Sequence, residues 1–140
     1  GMDSMPFTVE CTKSALGTKL FWSFALKGEQ AMTDFIENSF QQARNLYEHL
    51  SSLKDFNCPY QPESNILCFQ FRPNQLSDQN QLALRYELIN SGEFYITSCE
   101  FQGKRFLRTV LMNSETSEQD FIELAKAISN IGNKIIFEKS

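Results

Sequence analysis

The sequence lacks most of the motifs from which a self-sufficient active site is assembled. It has one histidine, His49, one tryptophan, six glycines and four prolines among 140 residues. Neither GxGxxG nor GxxxxGK[ST] occurs, so no glycine-rich loop is available to wrap a phosphate. GxSxG is absent too, which excludes the strand–turn–helix elbow that presents a nucleophilic serine. The four cysteines, Cys11, Cys58, Cys68 and Cys99, form no CxxC, and a zinc site would have to be gathered from four distant positions. No apolar run approaches the ~20 residues of a membrane helix. No signal peptide, repeat or low-complexity tract is visible. Thirteen basic residues against seventeen acidic ones give a net charge of −4, which leaves no basic surplus for phosphates and argues against a nucleic-acid partner. Unpaired thiols without a leader read as a cytoplasmic protein.

What is present is apolar bulk. Hydrophobic residues make up 41% of the chain and thirteen residues are phenylalanine, enough to drive one domain to fold without a metal or disulfide staple. Gly1 ahead of Met2 reads as a residue left by tag removal. Residues 1–13 read as that scar and an irregular segment containing Pro6, and residues 14–140 as a single domain. The spacing of apolar residues predicts a helix over 14–27, a break at Gly28, and a longer helix over 29–53. In the second helix Ala31, Met32, Phe35, Ile36, Phe40, Ala43, Leu46, Tyr47, Leu50 and Leu53 recur at three- and four-residue intervals. Phe56–Tyr60 and Ile66–Phe71 read as strands. Ser77 or Asp78 caps a helix that runs to about Ser91 and stops at Gly92.

Tyr95–Phe101 and Lys104–Met112 read as a hairpin around Gln102-Gly103. Thr116 and Gln119 have capping-box spacing, and a helix over about 117–131 buries Phe121, Leu124, Ala125, Ile128 and Ile131 before Gly132. Ile135–Phe137 reads as a short terminal extension. Clustered antiparallel strands with long amphipathic helices imply an α+β two-layer sandwich, a mostly antiparallel sheet with helices on one face.

Few residues in this pattern can carry chemistry. His49 sits between Glu48 and Leu50 on a largely solvated helix and reads as a surface residue, since acid–base work needs a positioned partner. Cys68 and Cys99 fall in strands, where thiols are usually buried and inert. Arg108 is different. The strand FLRTVLM puts Phe106, Arg108, Val110 and Met112 on one face, so a guanidinium interrupts an apolar row. Its planar fork binds a carboxylate through two parallel hydrogen bonds and stays charged at any working pH. The bland alternative is an arginine at the sheet rim that lays its stem over Phe106.

Four segments, ECTKSALGTKLFW with the following LKG (10–28), PESNILCFQFRP (62–73), LINSGEFYIT (88–97) and GKRFLRTVLMNSETSEQDF (103–121), occur in an informative order. Together they resemble the C-terminal part of the pyridoxal-phosphate-dependent group II amino-acid decarboxylases, which include glutamate, aromatic amino-acid and 2,4-diaminobutyrate decarboxylases. The resemblance implies the small domain of a fold-type-I enzyme. It also implies that Arg108 pairs with the α-carboxylate of an amino-acid substrate. The cofactor would be pyridoxal phosphate in the intact enzyme, with none bound to this chain alone. The family's cofactor lysine follows a histidine upstream of the matched part. No lysine here follows a histidine, so the resemblance assigns no catalytic residue to this chain. An arginine usual near Ser14 and an aspartate usual near Gly17 are also replaced, although Lys13 keeps one basic group.

The reading is therefore a C-terminal domain or fragment of a decarboxylase, of 2,4-diaminobutyrate or aromatic type, inactive alone. Its partners would be a separately encoded or missing large domain and a second copy of the chain, because Phe21, Trp22 and Phe24 would otherwise be exposed. The alternative is a stand-alone, non-catalytic module for dimerisation or amino-acid binding.

Overall fold

The computed structural model describes residues 16–138. The segment 1–13, with Cys11 and Lys13, and Ser14 lie outside the described residues. The described chain divides into two compact units between Phe35 and Ile36. Three helices and four strands follow in the order α1 (Leu16–Ser52), β1 (Phe56–Asn57), β2 (Ile66–Phe71), α2 (Asp78–Asn90), β3 (Thr97–Phe101), β4 (Lys104–Val110) and α3 (Glu118–Phe137). This is an α+β fold with a small antiparallel sheet, as the clustered strands predict.

Within α1, Gly28 leaves helical conformation at φ 79°, ψ 169°, so two helices meet there. A positive φ of this size costs little only for a residue without a Cβ. In the first unit Leu20, Phe21, Trp22, Phe24 and Leu26 are exposed, Phe21 by 64% and Trp22 by 54%, and the Phe21 and Trp22 rings meet edge-on with centroids 5.5 Å apart. Phe35 is exposed as well, and so is Ile36 at the start of the second unit, against the burial expected from their spacing.

In the second unit the buried stripe of α1 is Ser39, Gln42, Ala43, Leu46 and Leu50. It joins Leu84 and Leu88 of α2 and Phe121, Leu124, Ala125 and Ile128 of α3 in one core against the sheet. The sheet contributes Leu67, Phe69 and Phe71 from β2 and Leu107 from β4, all fully buried. Alternation along a strand sends the intervening side chains to the opposite face. That face carries Ile66, Cys68 and Gln70 of β2, Phe106, Arg108 and Val110 of β4, and Thr97, Cys99 and Phe101 of β3, in register Cys68↔Arg108↔Thr97 and Cys99↔Phe106.

Sheet order is β1-β2-β4-β3, every pair antiparallel. β1 is shorter than expected, because Pro59 has no N–H to continue a ladder. The β3–β4 hairpin turns through Gln102 and Gly103 at φ 51° and 72°, the two-residue turn that suits the strands' own twist. β4 ends at Val110 rather than Met112. One bond further, from Leu111 N–H to the Asn65 carbonyl at 2.8 Å, keeps its end tied to β2.

Two helix boundaries depart from the sequence reading. The capping box of α3 is Ser117 with Asp120, not Thr116 with Gln119: the Ser117 N–H and Oγ both donate to Asp120 Oδ2 at 2.7 Å. A carboxylate is the stronger acceptor for the orphan N–H at a helix start. These bonds from the Ser117 backbone and hydroxyl hold the Asp120 carboxyl below the usual carboxylate range. Gly132 does not stop α3, which continues to Phe137. It is buried where the Phe71 ring presses on the helix. A Cβ there would fall inside contact distance of Phe71 Cδ1 and Cε1. The residue is a glycine for close approach and not for termination.

Candidate functional site

Arg108 stands on an interior strand, between Cys68 of β2 and Thr97 of β3. That strand is not an edge of the sheet. Its side chain is half-buried on the sheet face opposite the core. Thr97 ties it down from both ends: Arg108 Nε donates to Thr97 Oγ1 at 3.0 Å, and the Thr97 hydroxyl donates to the Arg108 carbonyl at 3.1 Å. Using Nε in this way leaves the two terminal nitrogens of the fork. They have no partner among the described residues.

The other two arginines near the sheet behave differently. Arg72 closes an ion pair with Asp55 at 2.8 Å and Arg105 one with Glu100 at 3.1 Å. Arg72 leaves β2 at φ 41° and also donates its own N–H to the Asp55 carbonyl. Its guanidinium holds the Asp55 carboxyl below its ordinary range by hydrogen bonding first and charge second. Two of these three forks are thus occupied by this chain's own carboxylates, whereas the terminal nitrogens of Arg108 meet no carboxylate among the described residues.

The surroundings of Arg108 are polar near the guanidinium and aromatic beyond it. Along β4 the next residue on this face is Phe106, covered by Tyr60 from the β1–β2 loop at 6.1 Å between centroids, and Tyr60 also packs edge-on against Phe101. Gln70 fills the row beyond Cys68, donating to the Arg105 carbonyl at 2.9 Å and accepting from Asn57. Cys68 and Cys99, expected to be buried and inert, are half-buried on this same face with their sulfurs 3.6 Å apart. Neither the pairing of these thiols nor the Thr97 clamp is readable from the chain. The only available signal is that all four residues fall within three predicted strands.

The larger cavities lie elsewhere. One of about 600 Å³ is bordered by Lys54, Asp55, Asn57, Ser77, Asp78 and Lys104, a mixture of charge that favours no ion of one sign. Another of about 600 Å³ lies between α2 and α3, beside Glu87, Asn90, Ile131 and Lys134. Arg108 lines neither. His49 is half-buried instead of solvated and borders a shallow depression with Glu48, Glu118 and Phe121.

Among the described residues no lysine has the surroundings of one that links to pyridoxal phosphate. A lysine that links to this cofactor is set apart from solvent, which lowers its proton affinity. All six described lysines, Lys19, Lys27, Lys54, Lys104, Lys126 and Lys134, are exposed.

Solved structures share this fold. The glutamate decarboxylase domain of diaminobutyrate-pyruvate transaminase and L-2,4-diaminobutyrate decarboxylase from Vibrio parahaemolyticus superimposes with a TM-score of 0.76 at 20% identity, over 83% of this chain and 25% of that one. Catharanthus roseus tryptophan decarboxylase in complex with L-tryptophan gives 0.72 at 20% identity, over 83% and 26%. Oryza sativa TDC with PLP and tryptamine gives 0.77 at 15% identity, over 96% and 30%. The fold is therefore that of one segment of the group II pyridoxal-phosphate-dependent decarboxylases. The chain spans only about a quarter to three-tenths of the length of these structures. No protein-family model matches the sequence.

Proposed function

We propose that this chain supplies the C-terminal small domain of a pyridoxal-phosphate-dependent amino-acid decarboxylase, in which Arg108 holds the α-carboxylate of the substrate. One observation carries the reading: an arginine clamped on an interior strand, with the end of its fork unclaimed, in a fold shared with decarboxylases. A carboxylate about to leave as carbon dioxide has to be held in one orientation, and a rigid two-pronged donor does this without proton transfer. The cofactor supplies the electron sink when bound. Its lysine comes from outside these 140 residues, since His49 is followed by Leu50 and the described lysines are exposed. A 2,4-diaminobutyrate or aromatic amino acid is the substrate class in this reading. A large domain or a second copy of the chain covers the exposed helix around Phe21, Trp22 and Phe24.

The test is a titration of the chain with acetate and then with an amino acid, followed at the arginine Nε–H resonances. Arg108 is expected to shift in a saturable way while Arg72 and Arg105, occupied by carboxylates of their own, stay still. Equal shifts at all three, or none at Arg108, would remove the carboxylate assignment. Release of carbon dioxide by the chain alone with added pyridoxal phosphate would overturn the assignment of the catalytic lysine to another piece.

A further inference from the structure

The two edges of the sheet are protected unequally. β1 has two residues and is soon followed by Pro59, so it offers little to another strand. β3 forms the other edge with five residues, TSCEF, and has neither proline nor lysine. None of the five is buried. A charge on an edge strand keeps other strands away, but the one charge of β3, Glu100, is answered by Arg105 of the same hairpin at 3.1 Å.

The phase of the ladder decides which backbone groups are left over. The Leu111 N–H donates to the Asn65 carbonyl, and the Arg105 carbonyl accepts from Gln70, so odd-numbered residues along β4 turn their backbone groups towards β2. The even ones, Lys104, Phe106 and Arg108, face Phe101, Cys99 and Thr97 of β3. Residues between such pairs point their N–H and C=O groups the other way. Ser98 and Glu100 thus present theirs past the edge of the sheet, where no described residue bonds them. The Ile96 carbonyl, next in the series, is already taken by Arg85 Nε at 3.1 Å.

We propose that β3 pairs antiparallel with β3 of a second copy of this chain, about a two-fold axis at Cys99, so that two four-stranded sheets become one. In this register Ser98 lies opposite the partner's Glu100 and exchanges both backbone hydrogen bonds with it, and symmetry repeats the exchange on the other side of the axis. Moving the axis to Glu100 would set two carboxylates directly opposite each other. Moving it to Ser98 would ask for the Ile96 carbonyl that Arg85 occupies. The axis at Cys99 also lays Phe101, 50% exposed in the single chain, against the partner's Thr97, the residue that clamps Arg108. The second copy thereby brings an aromatic ring beside the Arg108 site. A contact five residues long is small, so the dimer is reversible and depends on concentration. It uses none of the residues around Trp22 and stands independently of the decarboxylase reading.

The experiment is amide hydrogen exchange of the full chain, resolved by nuclear magnetic resonance at high protein concentration and after dilution. The Ser98 and Glu100 amides are expected to be protected at high concentration and to exchange at least about tenfold faster on dilution. The Cys99 and Phe101 amides, bonded within the hairpin, are expected to stay slow at both. Free exchange of Ser98 and Glu100 at every concentration would overturn the pairing, and so would protection that dilution leaves unchanged.

A cross-link tests the register. Opposite residues of a non-hydrogen-bonded antiparallel pair have Cα atoms about 4.5 Å apart, inside the range of about 4.4–6.8 Å that a disulfide spans. With diamide, two Cys99 thiols would become one disulfide and their two hydrogens would pass to the azo bond of the reagent. A chain that keeps only Cys99 is expected to form covalent dimer at least about tenfold faster than one that keeps only Cys68, the others being serine. Equal rates would overturn the axis at Cys99. Ser98→Pro removes an outward N–H and spares the hairpin ladder, so in the Cys99-only chain it is expected to lower the rate to that of the Cys68-only chain. Undiminished cross-linking by Ser98→Pro would also overturn the proposal.

Discussion

Thr97 and Arg108 hold each other reciprocally across the β3–β4 ladder, the hydroxyl donating to the arginine carbonyl at 3.1 Å and accepting from its Nε at 3.0 Å. A flexible four-bond side chain is thereby fixed at its Nε before any ligand arrives, so less rotamer entropy is lost on binding. Thr97→Val keeps the shape and the strand preference but removes both bonds. It is expected to cost about 1 kcal/mol of stability and to speed hydrogen exchange at Arg108 Nε. Thr97→Ser is expected to retain the slow exchange. Nuclear magnetic resonance of the two variants checks this. Slow exchange in Thr97→Val would show that the hydroxyl does not position the guanidinium.

Gly132 is expected to resist the substitution that helix propensity recommends. Alanine is better than glycine in a helix interior by about 1 kcal/mol, but here the added methyl meets the Phe71 ring, with Leu84 Cδ1 next at 3.1 Å. Overpacking of this kind costs about 1–3 kcal/mol. Urea denaturation should show Gly132→Ala to be less stable than wild type, and Phe71→Leu should relieve part of the penalty when the two are combined.

Gln81 is completely buried, and its amide closes on one residue from both sides. Its Oε1 accepts from the Phe71 N–H at 3.2 Å and its Nε2 donates to the Phe71 carbonyl at 2.6 Å. Gln81→Leu preserves bulk while stranding two backbone groups at the end of β2. At about 1–3 kcal/mol for each unsatisfied group, the loss is expected to exceed that of Gly132→Ala in the same denaturation assay.

The Asp55–Arg72 pair gives stability a defined dependence on pH. The folded-state carboxyl titrates below its ordinary 3.8 because Arg72 hydrogen-bonds the charged form. Its contribution is therefore complete above that ordinary value and is lost as pH falls through the lower folded one. The pair is only partly shielded from water, so the contribution is within about 1 kcal/mol. Asp55→Asn is expected to lower stability at pH 7 and to lower it less in acid, as the wild-type group is progressively neutralised. Denaturation at pH 7 and at pH 2 checks the difference, and an equal loss at both would assign it to packing.

The elements that were legible in the sequence are those with local punctuation. Ile66–Phe71 is bounded by turn residues and appears with those limits. Ser77 caps α2 through the Asn80 N–H, and Gln102-Gly103 makes the hairpin. Sheet order could not be read in the same way, because the pairing of β2 with β4 is decided by which faces must be buried and not by anything adjacent in the chain. For the same reason Gly132 resembles a stop signal until Phe71 is placed against it, and Gln81 resembles a solvated polar residue until Phe71 needs its amide. Arg108 was visible as a cation in an apolar row, but its clamp on Thr97 and the neighbouring thiols follow from strand register alone.

The central place of β4 also has a consequence for how the chain is made. β2 pairs with β1 on one side, but its other neighbour is β4, which begins 33 residues after β2 ends, from Phe71 to Lys104. A nascent chain that has emerged only as far as the β3 turn therefore holds Leu67, Phe69 and Phe71 with only the two-residue β1 beside them, no β4 on the other side and no α3 to cover them. Synthesis from the N-terminus leaves this half-sheet open until residues 104–137 are out, and chaperones that bind extended apolar segments have that interval in which to act.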